Sequence, residues 1–118
     1  MTSFYATADN EHTAAVLDLF GATATTTYIG ERDGDGHPAV VWHATDRGIV
    51  RTQSNGDGID GTLTLWSDVH GVTITARRWA ARSGELTVTV QDPALTVTGN
   101  REDSIAFAQD VIGRLSNR

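Results

Sequence analysis

At 118 residues the chain has the length of one domain that buries a core unaided, and it has no cysteine, which excludes disulfides, thiolate zinc sites and thiol nucleophiles. Its formal charge is −6 and its nine basic residues are all arginine. Only Arg77, Arg78 and Arg82 cluster, too few to neutralise a phosphate backbone, so no nucleic-acid partner is expected.

No apolar run approaches the ~20 residues of a membrane span, so no membrane partner is expected either. The start, Met1-Thr2-Ser3-Phe4, lacks the basic and apolar segments of a signal peptide, and the reading is cytoplasmic. A lysine-free composition rich in Ala, Gly, Thr, Val and Asp matches a high-GC coding bias of the kind seen in actinobacteria and their phages, and is silent on function.

Residues 2–8 read as an arm or an edge strand. A helix follows over 10–20, capped by Asp9 or Asn10, with Ala14, Val16, Leu17 and Phe20 as its apolar stripe and Gly21 as its stop. Strands are expected over 23–98. The first, Thr23 to Arg32, meets Ala39 to Ala44 through a tight Asp-Gly turn at Asp33 to Pro38. Gly48 to Gln53 is the next, then a polar loop from Ser54 to Gly61.

From Thr62 to Thr98 apolar residues alternate with threonine in four further segments, the period-2 signature of a sheet with one buried and one wet face. Arg82-Ser83-Gly84 reads as a three-residue hairpin loop, setting Trp79 opposite Thr87 and Arg77 opposite Thr89. Asp92-Pro93-Ala94-Leu95 reads as a type I turn setting Gln91 opposite Thr96, and the Ser67 to Gly71 link pairs Thr64 with Thr75 and Trp66 with Thr73. A second helix covers 101–116, capped by Asn100 with Asp103 returning the bond, its apolar face Ile105, Ala108, Val111, Ile112 and Leu115 with Phe107 at the margin. The expected fold is a single α+β domain over 1–118: a two-layer antiparallel meander of about seven strands with the N- and C-terminal helices on one face.

Alternation directs Leu63, Leu65, Val72, Ile74, Ala76, Leu86, Val88, Val90, Leu95 and Val97 inward. Thr64, Trp66, Thr75, Arg77, Trp79 and Thr89 then share the outer face. Tryptophan and arginine are common interface anchors, and their presence on a face otherwise built for water makes these six the candidate binding residues. The expectation is a non-enzymatic interaction domain that binds a protein partner or itself, as a homo-oligomer, without cofactor. The competing structural reading is that each tryptophan lies at a strand end and folds over its own neighbours, or that a strand bulge turns it inward. Ranks of Thr-x-Thr also resemble ice-binding surfaces, although sheet twist of ~20° per strand works against the flatness these need.

A second functional reading is a small-molecule-binding half-barrel lined by Tyr28, Trp42 and His43, or an immunity- or inhibitor-type protein; the aliphatic inner face offers little to orient a substrate. Glu31-x-Asp33-x-Asp35-Gly36 starts like a calcium loop, but Trp42 stands where the bidentate glutamate belongs. Asn55 to Asp60 partly matches a calcium nonapeptide, in a single copy. Turn chemistry accounts for both. The four histidines lack metal-ligand spacing and are expected at the surface, no nucleophile-elbow sequence supports a catalytic triad, and a lysine-free chain has no phosphate loop.

Overall fold

The computed structural model describes residues 10–79 and 84–118, which gather into two compact units, Met1–Leu63 and Thr64–Arg118. The expected arm at residues 2–8, a cap at Asp9, the basic Arg82 and most of the Arg82-Ser83-Gly84 loop lie outside the described residues.

Helix α1 (Glu11–Leu19) starts at Asn10, whose side-chain oxygen accepts the His12 amide at 2.8 Å. It stops at Gly21, where a φ of 64° takes the backbone into the left-handed region. Strands β1 (Ala24–Arg32), β2 (Pro38–Thr45), β3 (Gly48–Asn55) and β4 (Gly58–Leu65) then run up and down in the order β1-β2-β3-β4. The expected polar loop from Ser54 to Gly61 is instead mostly strand. Its turn is only Gly56-Asp57, braced by Asn55 Nδ2 donating to Asp60 Oδ2 at 2.6 Å.

The β2–β3 turn is fixed by Thr45, whose hydroxyl donates to the Gly48 carbonyl (2.7 Å) and accepts the Gly48 and Arg47 amides. Arg47 Nε also donates to Gly21 O, and Asp46 accepts the Thr23 amide, tying this turn to the α1–β1 link. Helix α1 lies on the sheet where Gly61 clears the way for Val16 and Phe20; a Cβ there would collide with Val16. Thr13, absent from the predicted stripe, is its fully buried residue, while Ala14 is exposed.

After β4 a 3₁₀ turn at Trp66–Asp68 intervenes, and β5 (Thr73–Arg77), β6 (Glu85–Val90) and β7 (Leu95–Gly99) form a second sheet in the order β5-β6-β7. Helix α2 (Glu102–Ser116) packs on β7 and β6. The fold is therefore α+β with seven antiparallel strands and a helix near each end, as expected, but the meander is divided into sheets of four and three strands. The ladder ends because Trp66 and Val69 turn inward, to 8% and 1% exposure, and the Arg118 guanidinium donates to both of their carbonyls. The expected pairs of Thr64 with Thr75 and Trp66 with Thr73 are not made.

In the second sheet Arg77 faces Glu85, Thr75 faces Thr87, and Thr89 faces Thr96. The expected registers are thus displaced by four residues between β5 and β6 and by two between β6 and β7. Both displacements are even, so every residue keeps its face. The β6–β7 link is the four residues between Val90 and Leu95, with a cis Asp92–Pro93 peptide in place of the type I turn.

Helix α2 begins one residue later than its sequence suggests. Ser104 Oγ, not Asp103, accepts the Asn100 and Arg101 amides, and Arg101 is the N-cap. Phe107, expected at the margin, is at 0% exposure with Ala108 and Val111, facing a sheet side built from Val88, Val90, Leu95 and Val97. The approach is close at Gly99, where a Cβ would stand 3.1 Å from Ile105 Cα. Beyond the helix, Ile74 and Ala76 of β5 stay exposed although the alternation directs them inward.

Candidate functional site

The wet face of the three-stranded sheet carries two rows of threonine. Thr75, Thr87 and Thr98 form one, and Thr73, Thr89 and Thr96 the other. Strand geometry sets neighbours in a row ~4.8 Å apart and the two rows ~6.7 Å apart. Thr73, Thr75, Thr89 and Thr96 are exposed and the other two half-buried, since α2 covers the opposite side. At one corner Arg77 stacks on Trp79, its guanidinium carbon 4.9 Å from the ring centroid, in cation–π contact. Trp79 follows the end of β5 and is half-buried.

Of the six predicted residues, the structure brings together Thr75, Arg77 and Thr89 on this face, with Trp79 at its corner. Thr64 belongs to β4 in the other sheet. Trp66 is corrected: it is buried in the 3₁₀ turn and contributes nothing to a wet face. Thr73, Thr87, Thr96 and Thr98 complete the rows, since period-2 alternation puts them on the same face as Thr75 and Thr89.

The unit Met1–Leu63 contains a cavity of about 410 Å³ between α1 and β1. Ala14, Leu17 and Asp18 of α1, Thr25 and Thr27 of β1, and His43 of β2 contribute to its wall. His43, expected at the surface, is at 0% exposure, because β2 is buried on both faces. Its Nε2 lies 2.8 Å from Thr52 Oγ1, whose hydroxyl donates to the Val41 carbonyl at 3.2 Å. A hydroxyl has one hydrogen; with that of Thr52 given to the Val41 carbonyl, Thr52 accepts from Nε2–H, and on this basis His43 is assigned the Nε2-protonated tautomer. Its Nδ1 is then a bare acceptor, and it has no partner. Burial holds the His43 pKa down at about 4, so the ring is neutral at pH 7. Tyr28 pairs with Trp42 one position away from the Thr27–His43 pair, which puts both aromatic rings on the other face of the sheet.

The hairpin joining β1 and β2 brings Asp33, Asp35 and His37 together, their ligand atoms within 4.8 Å of one another. Turn chemistry accounts for it: Asp33 Oδ1 accepts the Asp35 and His37 amides, both at 2.9 Å, and Gly36 takes a φ of 82°. The His37 amide chiefly, with the Asp35 amide and the His37 ring charge, holds the Asp33 carboxyl below its ordinary pKa. His70 and Asp92 meet at 3.8 Å on an exposed β-bridge.

No protein-family model, no curated protein and no solved structure matches this chain.

Proposed function

We propose that the chain is a non-enzymatic interaction domain that docks a protein, in the first instance a second copy of itself, through the threonine face of β5–β7. The observation that carries this reading is the double row of threonines, four of the six exposed, with the Arg77–Trp79 stack at its corner. Uncharged hydroxyls donate and accept alike, so such a row is complementary to itself, and the stack supplies the aromatic and guanidinium surface that anchors interfaces.

The test is the solution mass by light scattering over a concentration series, for the wild type and for a Thr75→Arg/Thr89→Arg double variant. Both positions are exposed, so the variant keeps its fold. A wild-type dimer that the variant loses supports the reading. A wild type that stays monomeric overturns self-association, and photo-crosslinking from position 87 in the native host then tests for another protein; absence of any adduct removes the face from consideration.

A further inference from the structure

The cavity between α1 and β1 has the size of a small-ligand site, for which ~300–1,000 Å³ is usual. Its wall combines apolar surface from Ala14 and Leu17 with threonine hydroxyls from β1 and one carboxylate, Asp18, and none of its residues is cationic. An anion finds no counter-charge there. His43 contributes to the wall, and its buried Nδ1 has no hydrogen-bond partner. That atom is closed to solvent.

A buried acceptor without a donor is a standing energetic deficit, which a donor carried by an apolar body relieves without bringing a charge into the interior. Since that atom is closed, contact with a donor in the cavity requires α1 to shift outward. This helix is only nine residues long and depends on its packing at Gly61 rather than on its own stability.

From this wall and this acceptor we propose that the cavity binds a small, uncharged molecule with an apolar body and one O–H or N–H donor, of the phenol or indole kind, the donor engaging His43 Nδ1. The site is independent of the threonine face and stands whether or not that face binds a protein.

The experiment uses the full chain labelled with ¹⁵N at histidine, and follows the His43 ring nitrogens while phenol, toluene or benzoate is added. Phenol moves the unprotonated Nδ1 resonance upfield in a saturable way, whereas toluene, with the same body and no donor, and benzoate, an anion, leave it in place. Ala14→Trp, at an exposed helix position that borders the cavity, weakens the phenol response at least ~10-fold while the amide spectrum stays folded. Two results overturn the proposal: an Nδ1 resonance that phenol and indole leave unmoved, or one that toluene and benzoate move equally.

Discussion

His43 is an imidazole that the fold keeps neutral, and this has a consequence for stability. Its pKa in the fold is about 4 against an unfolded value of ~6.5, so between these two the unfolded chain binds the proton that the folded chain refuses. Stability from this residue is complete above pH 6.5 and is lost as the pH falls towards 4, by about 3 kcal/mol in all. Urea unfolding at pH 7 and pH 4.5 measures it, and His43→Leu should flatten the difference. Thr52→Val removes the acceptor of the Nε2–H and should cost about 1–3 kcal/mol at pH 7, read as a lower midpoint. Neither effect was legible in the sequence. Val40 to Ala44 is a run without alternation between polar and apolar, and such a run does not announce which of its members are buried. Trp66 was misplaced for the converse reason: it continues the alternation of Thr62 to Leu65, and only the 3₁₀ turn after it takes its ring off the face. The Asp33 hairpin, by contrast, was readable, since Asp-Gly steps name their own turn.

Among the elements, α2 packs on β7 and β6 through the fully buried Phe107, Ala108 and Val111. Phe107→Ala should destabilise by about 3–5 kcal/mol, as deletion of a fully buried ring does, measured by thermal unfolding. Gly99→Val should be costly without deleting anything, by about 1–3 kcal/mol, because its Cβ would press on Ile105 and α2 must lift. The type and order of these elements were legible from period and punctuation. Their registers were not. Turn residues suggested loop lengths that the chain does not use, and even-numbered displacements leave the in-out pattern of Thr, Val and Leu unchanged, so alternation cannot reveal them.

For the molecule as a whole, the net charge of −6 sets the conditions under which self-association is visible. Two copies repel at low ionic strength, and the threonine rows carry no charge to offset it, so the dimer should tighten on going from low to ~0.15 M salt. A dimer that weakens with salt would place charged groups, not threonines, at its centre. The division into a four-stranded and a three-stranded sheet was hidden in the sequence, because seven strands in succession read equally well as one ladder or two. What decides it is local: Trp66 and Val69 find burial, and Arg118 engages the carbonyls that a continuing strand would have paired.

The outer strands differ in how they are guarded. Along β1 the ladder with β2 is interrupted at three places, and Glu31 and Arg32 stand near its end, so its open side is irregular and charged. Strand β5 has no proline and no bulge, and it is exposed along its whole length, with Ile74 at 46%. An unguarded strand of this kind is a template on which another chain lengthens the sheet. Under mild heating, then, aggregation should begin at residues 73–77, and Thr75→Pro should delay it while a proline in β1 would not.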